Sequence, residues 1–342
     1  MNEIDADGES GHSGTFGNRG ASGASNALLA AFFAQRKLQL ALALLAGVLL
    51  LDVIGTQMLG FTLTGLDHVY WASPVALTGI AMAVLSRQTR SKLRRFWART
   101  SVALICLYFL TVFSFAAFVL QDCAIAIHFD LVDNRLEQID DALGFRWHAA
   151  YPWFENHPPL FDLLRTCYRV YGWQVALLPV LLAYKDKPVE LTDYLLLFCA
   201  TVVLSILIST AVPASNPYIH FGRIGPHDLS EWSQFASIRE GMQRTIDLND
   251  NQGLISLPSL HAAHAVIFSY VVRHLRGWNL VIPAVNVLMI VSALPFGGHY
   301  LIDIIAGIAL AATAIHLSRH LRSTREHDRS LTVVSTGSDG VV

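Results

Sequence analysis

The sequence predicts an all-α fold: a polytopic transmembrane helix bundle of about eight spans with both termini in the cytoplasm. Hydrophobic residues make up 53% of the 342 residues and charged residues only 15%, a composition typical of membrane proteins rather than soluble domains. Long apolar runs recur along the chain, and a helix of roughly 20 apolar residues can cross a bilayer. The runs that predict the spans are residues 38–59, 68–85, 101–120, 160–184, 191–212, 258–272, 278–294 and 300–317.

The distribution of lysine and arginine predicts the orientation of the spans, because short loops rich in these residues remain in the cytoplasm. Basic residues cluster before the first span, at 87–99, at 185–187 and around the end of the last span, whereas the long loops 121–159 and 213–257 contain few. We therefore expect the two long loops on the outer side of the membrane.

The basic cluster at 87–99 does not predict nucleic-acid binding. It lies between two spans, and the formal net charge of the chain is −2, so anionic lipid headgroups are the better partner. We expect the bilayer, and no nucleic acid, among the partners. The compact loops and the Ala-rich and Leu-rich spans favour a bacterial inner membrane, in which the outer side faces the periplasm.

The same pattern divides the chain into five segments. Residues 1–35 and 321–342 lack periodicity and are predicted to be disordered cytoplasmic tails. Residues 36–121 are predicted to form a three-span N-terminal extension, and residues 122–159 an outer amphipathic and aromatic loop. Residues 160–320 form the helix bundle that contains the candidate catalytic residues.

The first outer loop is predicted to contain an amphipathic helix that lies on the membrane surface. A solvated acidic face is the favoured interpretation, and a bound divalent cation is the alternative. The aromatic residues that follow suit either the membrane interface or the frame of a lipid entrance. The apolar stripe is Val132, Leu136, Ile139 and Leu143, the acidic face is Asp133, Glu137, Asp140 and Asp141, and the aromatic residues are Trp147, Tyr151, Trp153 and Phe154.

Two short motifs, Pro258-Ser259-Leu260-His261 and Gly298-His299-Tyr300-Leu301-Ile302-Asp303, each place a histidine at the start of an apolar helix. The interval between the histidines allows one helix to leave the outer face and another to return, so both histidines are predicted on that face. Ser259 can cap the first helix, and Gly298 allows a tight turn before His299. Free N–H groups at two neighbouring helix starts predict a phosphate site.

His299 and Asp303 are four residues apart and therefore share one helical face. Asp303 lies about one turn into an apolar run, where a carboxylate needs a partner, and a hydrogen bond from His299 is the simplest solution. That bond would orient His299 as a nucleophile, with His261 as general acid and base. Each motif alone also suits a histidine that merely caps a helix, but their joint occurrence on one face favours catalysis.

The two motifs resemble the second and third signature motifs of the type 2 phosphatidic acid phosphatase superfamily. Their forms are most similar to the branch that contains inositol phosphorylceramide synthase, and the resemblance spans residues 160–317. It implies that His299 forms a phosphohistidine, that Asp303 orients it, and that His261 serves the leaving group and the acceptor. It also implies that Ser259 binds the phosphate, and it calls for neither a metal nor an organic cofactor.

The sequence departs from that family pattern in two places. The third motif normally begins with Ser-Arg, but the corresponding residues here are Ser292-Ala293, and the first motif is not recognisable. The positive charge that binds the phosphate must therefore come from elsewhere in the chain. The candidates are Arg223, Arg239 and Arg244 in the second outer loop and Arg165 and Arg169 near the fourth span.

These observations favour an integral membrane enzyme that cleaves a lipid phosphoester on the outer face through a phosphohistidine. Water remains open as the acceptor, as does an alcohol or sugar, and the synthase-like motif forms slightly favour head-group transfer. The alternative from another class is a non-catalytic transporter or lipid-binding scaffold, although no inverted repeat is visible.

Overall fold

The computed structural model describes residues 28–89, 93–222, 233–250 and 252–337 and is dominated by α-helices. A short helix, α1, covers residues 28–33. The later helices are α2 (Arg36–Leu59), α3 (Asp67–Gln88), α4 (Leu93–Ile125), α5 (Asp133–Ala142), α6 (Trp147–Glu155), α7 (Pro158–Tyr184), α8 (Pro188–Ala211), α9 (Pro217–Phe221), α10 (Phe235–Arg239), α11 (Leu260–Val271), α12 (Trp278–Gly297) and α13 (Leu301–Gly337), and the strands are β1 (Thr62–Thr64) and β2 (Thr245–Asp247).

The prediction of an all-α membrane bundle is confirmed. Every predicted span coincides with a helix, and among the described residues five helices are long and apolar enough to cross a membrane: α2, α4, α8, α12 and the Leu301–His320 part of α13. The protein is therefore a multi-pass membrane protein. The total of eight spans and the cytoplasmic position of the termini stay predictions.

The predicted sixth span is shorter than expected. Helix α11 has 12 residues, which corresponds to about 18 Å against a hydrocarbon core of about 30 Å. The segment before it is not helical and is fixed to α4, because the side chain of Gln121 donates to the Gln252 carbonyl at 2.9 Å and accepts from the Leu254 N–H at 3.1 Å. Helix α11 alone is therefore too short for a complete crossing.

A two-stranded parallel sheet, which the sequence analysis did not predict, joins two connections between helices. Thr62 pairs with Thr245 and Thr64 with Asp247, so the α2–α3 connection lies on the same side as the segment that leads to α11. At the opposite end, Arg99 donates hydrogen bonds to Asp186, which brings the starts of α4 and α8 together. These contacts agree with helices that alternate in direction across the membrane.

The predicted N-terminal extension is not a separate unit, because one hydrophobic core contains residues from α1, α2, α4, α7, α8, α11, α12 and α13. A buried ion pair reinforces this contact. The Lys37 ammonium of α2 lies 2.5 Å from a carboxylate oxygen of Asp193 in α8 and donates to the Ser318 hydroxyl of α13 at 2.7 Å. The extension therefore stabilises the helices that carry the two histidine motifs.

The disorder predicted for the two tails stays a prediction, and the structure describes a part of each tail as helix. Residues 28–33 form a helix whose apolar side joins the main core, and α13 continues to Gly337. The apolar face that packs residues 28–33 against the core is too short to stand out in the sequence. Residues 1–27, 90–92, 223–232, 251 and 338–342 lie outside the described residues. The buried residues of the first helix are Leu28, Leu29 and Phe32.

The amphipathic helix α5 exists, but its acidic face does not point to solvent as predicted. Asp133 and Asp140 are buried, whereas the apolar residues Ile139 and Leu143 are exposed. Two of the four carboxylates, those of Asp133 and Asp140, turn inward because N–H and O–H donors of neighbouring segments meet them there, whereas Asp141 is exposed. Three of the four aromatic residues predicted at the interface are also buried; they are Trp147, Tyr151 and Phe154.

Candidate active site

The two histidine motifs meet, as predicted, at the starts of α11 and α13. Ser259 is the N-cap of α11, and its hydroxyl accepts a long hydrogen bond of 3.5 Å from the Ala262 N–H. The backbone N–H of Ser259 donates to the backbone carbonyl of Asp303 at 3.0 Å. A direct backbone contact therefore sets the position of one motif relative to the other.

Gly307 in α13 makes that close approach possible. A Cβ atom at this position would lie 2.2 Å from the carbonyl oxygen of Ser259, far inside van der Waals contact. Only glycine allows the two helices to pack at this distance. The sequence analysis did not single out Gly307, because a helical glycine by itself does not indicate which backbone approaches it.

The side chains of His299 and Asp303 are neighbours, as predicted, but the expected hydrogen bond between them is not formed. Nδ1 of His299 lies 3.5 Å from Oδ2 of Asp303 and has no hydrogen-bond partner among the described residues. Oδ2 instead accepts from the Ser256 hydroxyl at 2.7 Å and from the Tyr300 N–H at 3.0 Å. Ser256 thus donates a hydrogen bond to Asp303, whereas the sequence analysis predicted this bond from His299.

The other imidazole nitrogen of His299, Nε2, lies beside Gly297. A Cβ atom at position 297 would be 3.0 Å from Nε2 and 2.5 Å from Cδ2. Glycine therefore leaves open the space next to this nitrogen. Nδ1 is on the side of Asp303, and Nε2 is the nitrogen next to this open space.

His261 stacks on two tyrosines of α7. Its ring centroid lies 4.1 Å from that of Tyr168 at an interplanar angle of 14°, and 4.4 Å from that of Tyr171. These contacts fix the plane of the imidazole. Sequence reasoning missed both tyrosines, although their spacing of three residues on an apolar helix places them on one face.

His264, one turn beyond His261, is a satisfied structural histidine, which is the interpretation that the sequence favours. Its Nδ1 lies 2.8 Å from the Tyr171 hydroxyl, and its Nε2 lies 3.1 Å from the Thr201 hydroxyl. Both nitrogens are thus engaged inside the bundle.

One cavity of about 170 Å³ is lined by both His261 and His299, together with Tyr168, Tyr171 and Gly297. Most of its remaining wall is apolar and comes from α4 and α8. Helix α4 belongs to the predicted N-terminal extension, so the extension contributes directly to the site. The apolar residues contributed by these two helices are Phe113, Ala117, Phe118, Phe198, Val202 and Ile206.

None of the described residues that line this cavity is a lysine or an arginine. Arg165 pairs with Asp162 at 3.0 Å, and its guanidinium lies 5.8 Å from the ring of Phe296, which precedes Gly297. Arg165 is therefore near the second motif but outside the lining of the cavity. Arg169 of the same helix is exposed.

The outer-loop arginines have other contacts. Arg239 donates to the backbone carbonyl of Phe129, and the guanidinium of Arg244 lies 5.4 Å from the ring of Phe61. Neither residue lines the cavity. Arg223 lies outside the described residues.

The start of α13 is not a free anion site, contrary to the sequence prediction. The N–H groups of Leu301 and Ile302 donate to the two carboxylate oxygens of Asp140 at 2.7 and 2.9 Å. Burial raises the pKa of Asp140 to about 6, while these two hydrogen bonds act to lower it. A carboxylate of α5 thus occupies the helix end that was expected to hold a phosphate.

Gly298 has a conformational role at this point. Its φ of +58° is in the left-handed region that favours glycine, and a Cβ atom there would lie 2.7 Å from the ring of Tyr218. The predicted contact of Gly298 and Ser259 with a phosphate remains a prediction.

Comparison with protein families gives a match to the model described as the PAP2 superfamily, over residues 134–317. Searches of curated proteins and of solved structures found no match. The matched range covers more than half of the chain, contains both motifs, and begins in α5, inside the predicted outer loop. Since it includes the helices that bring His261 and His299 to one cavity, we conclude that the chain belongs to the PAP2 superfamily and is a phosphatase or phosphotransferase of that kind.

Proposed function

We propose that the protein cleaves a lipid phosphoester through a phosphohistidine on His299. The single observation that carries this proposal is the cavity that both His261 and His299 line, with apolar side chains of α4 and α8 as its other walls. Such walls suit the hydrocarbon part of a lipid, while the histidines suit its phosphoester.

In the first step, Nε2 of His299 attacks phosphorus and the bond between phosphorus and the leaving oxygen breaks. The leaving oxygen keeps the electron pair and takes a proton from His261, which gains that proton when the anionic phosphoester binds beside it. Nδ1 of His299 keeps its proton and directs it to Asp303, whose Oδ2 is 3.5 Å away. A small movement that shortens this distance would stabilise the charge that develops on the imidazole.

In the second step, an acceptor O–H attacks the phosphohistidine. His261, now neutral, takes the acceptor proton, and the bond between phosphorus and nitrogen breaks with its electrons returning to Nε2. Water as acceptor gives a phosphatase, and an alcohol or sugar gives a transferase. We favour head-group transfer slightly, because the motifs resemble those of the inositol phosphorylceramide synthase branch.

We place this chemistry on the outer face of a bacterial inner membrane, toward the periplasm. The support is the uneven distribution of lysine and arginine among the loops. The positive charge for the phosphate is proposed to come from Arg223 or Arg165.

The test uses the full-length protein in detergent with labelled phospholipids, in the presence and absence of alcohol and sugar acceptors. We expect turnover and an acid-labile phosphoenzyme in the wild type, and neither in His299→Ala. The matched control is His316→Ala, since His316 is an exposed histidine of α13, the helix that follows His299. Full turnover by His299→Ala would refute the mechanism, and a wild-type protein without turnover would leave the non-catalytic transporter or scaffold alternative. Release of inorganic phosphate alone would refute the transferase preference.

A further inference from the structure

Helix α5 presents three acidic side chains to the segments around His299. Asp133, Glu137 and Asp140 are spaced four and three residues apart and therefore share one helical face. Glu137 lies 3.0 Å from Nε2 of His220 at the end of α9. The other two carboxylates are buried and contact the second histidine motif itself.

Asp140 caps the helix that begins immediately after His299. Its two oxygens accept the N–H groups of Leu301 and Ile302 at 2.7 and 2.9 Å. A carboxylate at the N-terminus of a helix satisfies N–H groups that have no partner within the helix, and it interacts favourably with the helix dipole. The first turn of α13 is thereby fixed to α5.

Asp133 joins the same motif to the segment 213–218. It accepts the Ser215 N–H at 2.9 Å, the Ser215 hydroxyl at 3.1 Å and the Asn216 N–H at 3.3 Å. It also accepts the Tyr300 hydroxyl at 3.0 Å. The residue directly after His299 is therefore tied to α5 through its side chain.

The residue directly before His299 is held by the same assembly. Tyr218 packs against Gly298 and donates its hydroxyl to the carbonyl of Pro295. The apolar residue Leu136 of α5 is in a small cluster with Ala214 and Tyr300. Thus the inward face of α5 contacts the second motif, the segment 213–218 and His220.

We propose that Asp133 and Asp140 are positioning residues that hold residues 298–302, and with them His299, in the orientation that directs Nε2 into the cavity. The catalytic part of this proposal rests on the proposed function of His299. The physical reason is that removal of either carboxylate leaves buried donors without an acceptor, and residues 298–302 then relax away from the orientation that chemistry requires. A displacement of about 1 Å is enough to lower a rate by about 100-fold.

The test compares Asp140→Asn with Asp141→Asn. Asp141 is the neighbouring residue, and its carboxylate lies 3.5 Å from Arg146 at the exposed side of α5. We expect Asp140→Asn to lower kcat by at least about tenfold with KM changed less than about twofold, because the nucleophile and not the lipid contact is disturbed. Asp140→Glu, which keeps the carboxylate, should recover most of the lost kcat, and Asp141→Asn should behave as the wild type.

Hydrogen exchange of residues 299–304 supplies a readout that needs no substrate. We expect the Leu301 and Ile302 amides to exchange at least about tenfold faster in Asp140→Asn than in Asp141→Asn, since a bond to a charged acceptor is lost. If Asp140→Asn does not fold, Tyr300→Phe removes only the hydroxyl that binds Asp133 and should lower kcat by about fivefold.

The outcomes separate this proposal from the proposed function. Unchanged exchange at Leu301 and Ile302, or faster exchange with a wild-type kcat, would overturn the positioning role. A wild-type protein without turnover on any phospholipid would instead contradict the proposed function, and the exchange comparison would still decide whether α5 holds this segment.

Discussion

Replacement of Gly307 by alanine tests whether the close contact between α11 and α13 sets the catalytic geometry. The new Cβ atom would lie 2.2 Å from the Ser259 carbonyl oxygen, whereas ordinary contact begins near 3.4 Å. The two helices must therefore separate by about 1 Å, because close-packed backbones do not compress. Ser259 precedes His261 by two residues, and its N–H binds the Asp303 carbonyl, so this movement changes the distance between the two histidines.

The size of the effect follows from that displacement. Overpacking of this kind costs about 1–3 kcal/mol of stability. A misplacement of about 1 Å between reacting groups lowers the rate by about 100-fold, which corresponds to about 2.7 kcal/mol in the activation free energy. We therefore expect kcat to fall by about two orders of magnitude, with a smaller change in the unfolding temperature.

The assay is turnover of a labelled phospholipid in detergent, together with thermal unfolding of the same preparation. Gly172→Ala in α7 is the matched control, because a Cβ atom there would meet no atom within 4 Å. It should leave turnover unchanged and should not destabilise the protein, since alanine favours a helix more than glycine does. A Gly307→Ala protein with wild-type turnover and wild-type unfolding temperature would show that the contact does not control the site.

Four further predictions concern the surroundings of His299. Gly297→Ala should abolish phosphoenzyme formation because its methyl group occupies the space beside Nε2, and acid-quench labelling measures this. Ala117→Leu narrows the cavity at its apolar wall, so KM should rise for a long-chain lipid more than for a short, water-soluble phosphate ester. Arg223→Ala should raise KM for any phosphate substrate, whatever its chain length, in the same assay. Because the folded-state pKa of Asp140 is raised to about 6, its contribution to the free energy of unfolding should decrease as pH rises from about 4 to about 6, and denaturation of Asp140→Asn across that range should not show this decrease.

The features that the sequence predicts well depend on apolar length and on helical periodicity. Each predicted span coincides with a helix, and His261 and His299 do line one cavity. The reason is that a bilayer leaves few options for an apolar run, so the ends of successive runs must alternate between two faces. The spacing of His299 and Asp303 likewise predicts that they are neighbours, and their side chains do lie 3.5 Å apart, although His299 itself precedes the helix, which begins at Leu301.

The features that the sequence does not predict depend on donors and acceptors from distant segments. Nothing local shows that Ser256 would bind Asp303, or that the carboxylates of α5 would turn inward toward Tyr300 and the first N–H groups of α13. On periodicity alone an acidic helical face points to water, and only the position of buried donors reverses that orientation. The wall that α4 contributes to the cavity is equally a tertiary property, since α4 is distant from both motifs in sequence.

The buried carboxylates around His299 also make phosphate binding dependent on a cation. Asp133, Asp140 and Asp303 are buried carboxylates that contact the segment beginning at Tyr300. An anionic phosphate that approaches Nε2 of His299 enters a region where negative charge is already present, and a buried anion is costly unless a cation meets it. Arg223 follows α9 in sequence by two residues, and Tyr218 of that helix packs on Gly298. The described residues that line the cavity include no lysine or arginine, so a cation from elsewhere must balance the charge of a bound phosphate, and Arg223 is the proposed source.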